Sequence, residues 1–113
     1  LGYLTNKGWL RTSGCGHSGL MNTGEALQKI KPEPVYSILG GFHLWKADKT
    51  TLDETALWLK SAGLDLMVGG HCTGIGAAET IAAQLEIPRS RISHAAVGSI
   101  ISPDLRIIRS SVE

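Results

Sequence analysis

The sequence offers a partner almost no net charge: 11 Lys and Arg stand against 10 Asp and Glu, a formal charge of +1 over 113 residues. That balance argues against a basic face for nucleic acid. No apolar run approaches the roughly 18–20 residues that a bilayer span needs, and no charged-then-apolar leader opens the chain. The expectation is a soluble, cytoplasmic protein that engages neither membrane nor nucleic acid. Cysteine is scarce, with only Cys15 and Cys72, and without a secretion signal they read as separate reduced thiols rather than a disulfide. The first residue is Leu rather than Met, which suggests a cloning boundary, a proteolytic product or a piece of a longer gene product. What is present suffices for a core: 42% of residues are hydrophobic, enough for one globular domain over residues 1–113 and too many for disorder.

Glycine is the abundant residue, with 14 copies gathered as Gly14-Cys-Gly16, Gly40-Gly41, Gly69-Gly70 and Gly74-Ile-Gly76. The first three clusters each follow an apolar run, which predicts strands at Gly8–Ser13, Val35–Leu39 and Leu64–Val68. The turn Asn6-Lys7-Gly8 predicts a short preceding strand at Tyr3–Thr5. Helical patterns follow the glycines. Leu20–Lys31 stops at Pro32-Glu33-Pro34. The next begins at Thr50 or Thr51, which stand near capping-box spacing from Asp53 and Glu54, and ends at Ala62 before Gly63. The third runs from Gly76 to Glu86. Ala96–Ser102 and Leu105–Arg109 then read as a hairpin about Pro103-Asp104. The fold class is α/β with a mainly parallel sheet and right-handed crossovers.

Three of the four histidines occupy one structural position. His17, His43 and His71 each stand three or four residues past a predicted strand end, 26 and 28 residues apart along the chain (17 to 43, 43 to 71). That interval is one strand-helix unit, so the three imidazoles return to the carboxyl edge of the sheet, where open α/β folds bind ligands. Neutral imidazole is the commonest metal ligand, and convergent histidines on glycine-rich turns make a zinc-type constellation. Gly74-Ile-Gly76 at a strand-to-helix turn is a weaker signal for phosphate or nucleotide, because no acid follows about 20 residues later for a ribose. Cys72 can ligate a soft metal or act as a nucleophile, although a small buried thiol is the commoner outcome. His94 reads as structural or surface, and Trp9, Trp45 and Trp58 as core and rim packing.

The segments G-C-G-H-S-G-L-M-N at 14–22, L-G-G-F-H-L at 39–44 and G-H-C-T-G at 70–74 together resemble the C-terminal half of a metallo-β-lactamase-fold metallohydrolase. More narrowly, they resemble the group related to the dihydropterin-ribofuranosylaminobenzene phosphate synthase. The resemblance implies half of an αββα sandwich (α+β by that convention), with two metal ions, zinc or sometimes iron or manganese, at the sheet edge. A bridging hydroxide there attacks a phosphoester, thioester or amide. It implies that His17 and His71 are metal ligands and that His43, near the usual bridging aspartate, is either a ligand or a substrate-facing acid/base. Ser18, Asn22, Cys72 and Thr73 would contact substrate or orient the ligands, and Gly16, Gly41 and Gly70 would shape the pocket.

The H-x-H-x-D-H signature that supplies most ligands in such enzymes is absent, so this chain alone is expected to be inactive. A small-molecule substrate is expected, with a complementary N-terminal half or a second copy covering an exposed apolar sheet face. Two other readings stand beside it: a non-catalytic half-domain that self-associates, and a phosphate- or nucleotide-binding module.

Overall fold

A computed structural model describes residues 1–109. The chain opens with an antiparallel pair, β1 (Gly2–Thr5) and β2 (Gly8–Ser13), joined by the Asn6-Lys7 turn. Then come α1 (Leu20–Ile30), β3 (Val35–Gly40), α2 (Lys49–Ala62), β4 (Leu66–Gly69), α3 (Ile75–Leu85) and β5 (Ile92–His94). The sheet order is β1-β2-β3-β4-β5, with β2 to β5 parallel. Parallel neighbours need a helical crossover, and crossovers of one hand between strands in chain order leave all three helices on one face. Accordingly α1 packs on α2, and α2 on α3. This is the mainly parallel α/β architecture that the strand-glycine-helix rhythm predicts.

Several boundaries differ from expectation, and β4 begins at Leu66 rather than Leu64. Helix α2 is capped by Asp48, whose carboxylate accepts from the Thr51 amide at 2.8 Å, rather than by Thr50 or Thr51; Asp48 lies just before the first helical turn, where its oxygen meets an orphan amide. Its other end is as expected, with Gly63 left-handed at φ 85°. Residues Ile92–His94 form a fifth strand on β4, so His94 closes a strand instead of preceding one. Three residues are too few to show a period. The terminal hairpin pairs only Ile100–Ile101 (β6) with Ile107–Ile108 (β7), in a separate sheet.

The core lies between sheet and helices. Val35, Ile38 and Met67 meet Ala56 and Leu59 of α2 and Ala77, Ala78 and Ile81 of α3, where the alanines let the helices approach closely. Each fully buried Leu or Ile contributes about 1.5–3 kcal/mol. Gly24 of α1 faces the Trp58 ring, which a Cβ there would strike. Trp9 is buried with its indole N–H donating to Lys31 O at 3.0 Å, whereas Trp45 is an exposed rim residue.

The bare apolar sheet face expected of a half-fold is not found on the central strands. All of β4 is buried and β3 is buried or half-buried. The exposed large apolar side chains lie off the central strands, including Val97, Tyr3 on β1, Leu57 on α2 and Ile108 on β7. No helix among the described residues is long and apolar enough to cross a membrane.

Candidate metal centre

Four strand ends line up in one row: Ser13 pairs with Gly40, Gly40 with Gly69, and Gly69 with His94. The three loops leaving β2, β3 and β4 are stitched to one another immediately above that row. The Gly41 amide donates to Ser13 O and Gly14 O at 3.2 and 3.1 Å, and the Gly70 amide to Gly40 O at 2.7 Å. Gly40 has φ +113° and faces the Ser13 backbone too closely for any side chain. Without a Cβ, these glycines let three main chains touch.

Within these loops the imidazoles of His17 and His43 stack with centroids 4.1 Å apart. The Cys15 Sγ lies 3.5 Å from His43 Nδ1 and donates to Cys72 Sγ at 3.0 Å. The Cys72 thiol donates to Cys15 O at 3.3 Å, and the His43 amide donates to Cys72 Sγ at 3.2 Å. Cys15 Sγ, one His43 ring nitrogen and Cys72 Sγ all lie within 4.8 Å of one another, the group of three potential ligands found among the described residues. Two thiols and an imidazole suit zinc, and three protein donors with one open position are the catalytic form of such a site. The donor set therefore fits a soft divalent ion. Hydrogen bonding to Cys72, and then burial, hold the Cys15 thiol above its ordinary pKa, so binding through this sulfur displaces a proton. His43 is held at φ +53°, an uncommon backbone for a residue with a Cβ, of the kind that clusters at functional sites.

The other candidates fall around this cluster. His17 joins it through His43. His71 is exposed beside Gly41, where an added Cβ would come within 2.8 Å of its Cε1. Thr73 is buried, accepting from the Phe42 amide at 3.1 Å and donating to Gly40 O at 3.2 Å; it ties the loops together. Asn22 donates to Ser18 O at 3.0 Å at the start of α1, and Ser18 lines an open cavity with His17. Gly74, at φ 81°, opens α3 against Trp45. Cys15 was not among the site residues expected. The signal for it was present, because each cysteine stands within two residues of a strand-end histidine.

No family model matches the chain. A 7,8-dihydropterin-6-methyl-4-(β-D-ribofuranosyl)-aminobenzene-5'-phosphate synthase of Methanocaldococcus jannaschii is 38% identical over 78 residues, 68% of this chain and 26% of that protein. An uncharacterized protein of the same organism is 37% identical over 75 residues, 66% of this chain and 28% of that protein. The chain thus spans about a quarter of the length of the curated relatives it matches. The crystal structure of a metal-dependent hydrolase of the β-lactamase superfamily superimposes with a TM-score of 0.74 at 23% identity, covering 83% of this chain and 36% of the other. In sequence the chain resembles the dihydropterin-ribofuranosylaminobenzene phosphate synthase, and in fold it matches a metal-dependent hydrolase of the β-lactamase superfamily.

Proposed function

We propose that the chain is the C-terminal half of a metal-dependent hydrolase acting on a phosphoester-type or related ester of a small molecule, and that it is inactive without an N-terminal half carrying H-x-H-x-D-H. The observation that carries this reading is the convergence of Cys15, His43 and Cys72, with His17 against the His43 ring, on loops from three adjacent parallel strands, the third of which also carries His71. A phosphoester is favoured because a sequence relative is named for a 5'-phosphate product. The reading places the protein in the cytoplasm, with zinc, or iron or manganese, as the metal.

Cys15, His43 and Cys72 would hold one ion. His17 and His71, the ligands implied by the resemblance, would serve an ion shared with the other half. When bound, such a metal polarises the scissile group and lowers the pKa of water. The chain's own residues do the rest. The His43 amide orients the Cys72 sulfur, and Thr73 fixes the spacing of the loops after β3 and β4. His17, whose ring centroid lies 4.1 Å from that of His43 and which is open to solvent, would remain free to ligate the shared ion.

The test is the metal content of the purified chain by mass spectrometry, beside His71→Ala and Cys72→Ser, followed by ester hydrolysis after mixing with an N-terminal half. Stoichiometric metal lost in Cys72→Ser and kept in His71→Ala, with activity only in the mixture and none there for His71→Ala, supports the reading. A folded chain that binds no metal alone or in the mixture overturns it.

A further inference from the structure

Two arginines are drawn into the body of the protein, and they differ sharply in their partners. Arg91 is satisfied: its Nε and Nη2 reach Asp65 at 2.9 and 2.7 Å, Nη1 donates to Leu105 O, and Nη2 donates to the Tyr36 hydroxyl at 3.3 Å. Arg11 on β2 is more deeply placed, only 4% exposed. No carboxylate among the described residues pairs with it, and its Nη1 is buried without a hydrogen-bond partner. Its one compensating contact is the Phe42 ring, 5.5 Å from Cζ. Burial alone pulls its pKa below the ordinary value, yet guanidinium stays a cation at neutral pH. An unpaired buried charge is expensive, and in this chain nothing described repays it.

Arg11 lines an open cavity of about 500 Å³ between β2 and the start of α1, together with Ser13, His17, Ser18, Thr23 and Leu1. That volume lies within the range of small-molecule sites. The cavity shares His17 with the histidine and cysteine cluster. It therefore adjoins that cluster, and Arg11 in its wall is a cation that lacks a counter-ion among the described residues, with Nη1 itself closed to solvent.

We propose that this cavity is an anion subsite, in which Arg11 pairs with a phosphate or carboxylate on the substrate while Ser18 and His17 contact the same group at the mouth. The inference rests on the hydrolase reading only for the word substrate; the anion site itself needs no metal. A planar guanidinium pre-positioned over Phe42 suits bidentate contact with either oxyanion. Substrates carrying a second charged group beyond the scissile ester would be selected over neutral esters.

The test is a titration of the wild-type chain with inorganic phosphate and with acetate, in EDTA, by calorimetry and thermal shift, beside Arg11→Met and Arg11→Lys. Saturable binding is expected, weakened about tenfold or more in Arg11→Met and less in Arg11→Lys. Without anion, Arg11→Met should melt no lower than wild type, because it removes an uncompensated charge. If Arg11→Met does not fold, the Arg11 side-chain NMR signal of the wild type must shift during the phosphate titration.

Leu1 also borders the cavity, its nitrogen donating to Thr12 O at 3.0 Å, and that nitrogen is charged only in a chain that starts there, so the titration is repeated after N-terminal acetylation. Binding that vanishes on acetylation and survives Arg11→Met overturns the proposal. So does the absence of saturable binding by folded wild type, which would assign Arg11 a carboxylate from another polypeptide segment. Phosphate binding without metal binding upholds the subsite and removes the hydrolase reading; metal binding without anion binding does the reverse.

Discussion

Cys15 and Cys72 meet sulfur to sulfur at 3.0 Å although 57 residues separate them and a whole strand, β3, lies between the strands they follow. Two inter-strand spacings amount to about 9.5 Å, so the loops after β2 and β4 must lean together over the end of β3. Gly41 is the residue they lean over. A Cβ there would come within 2.8 Å of Cys72 Sγ and would strike the Gly14 carbonyl oxygen.

Gly41→Ala should therefore part the two thiols. The expected cost is about 1–3 kcal/mol of stability, the usual range for overpacking, together with weakened metal binding. Urea unfolding followed by metal analysis of the folded variant checks both; a variant that binds metal as the parent does would sink the claim that Gly41 sets the thiol spacing.

The same proximity governs oxidation. Treatment with a mild thiol oxidant such as diamide should join Cys15 to Cys72, with the loss of two hydrogens in the intact mass and of both free thiols. Metal uptake should fall in parallel and return on reduction. Cys15→Ser should abolish the mass change without producing intermolecular dimers.

Acid should loosen α2 first. Asp48 accepts from the Thr51 amide, and Asp53 is held by Lys49 and Gln84, so both carboxyls lie below the ordinary carboxylate range. A depressed folded pKa adds stability above the unfolded value of about 3.9, and that stability is lost as pH falls through the folded value. The melting temperature should decline below about pH 4, and less steeply in Asp48→Asn, whose cap does not titrate.

Buried polarity can be tested beside buried packing. Ser37 is fully buried and its hydroxyl has no partner, so Ser37→Ala should leave stability unchanged or raise it by about 1 kcal/mol. Leu59, equally buried but inside the core cluster, should cost about 2–5 kcal/mol on truncation to Ala. Chemical denaturation of the two variants gives the comparison directly.

The order of strands and helices was legible because Gly14, Gly40, Gly63 and Gly69 punctuate the chain where elements end, and because Pro32 and Pro34 forbid α1 to continue. The return of His17 and His43 to one edge was legible from their spacing, and the ring stack realises it. The three-residue β5 was not legible, since a strand so short leaves no alternation to read. Cys15 was overlooked because a thiol's role depends on what another loop brings to it, and here the partner is 57 residues away. The isolation of Arg11 is likewise a tertiary property: a strand sequence shows that an arginine is present, and only packing shows that no acid comes to meet it.

The left-handed backbone of His43 constrains that position through the main chain, separately from any ligand role of the ring. Asparagine and glycine tolerate such a backbone better than most residues do, so His43→Asn removes the imidazole while leaving the loop at ease, whereas His43→Ala alters both at once. Drift at this site over evolutionary time should accordingly run through Asn, Asp or Gly. A descendant that has abandoned the chemistry would still carry one of those three as the imprint of the turn.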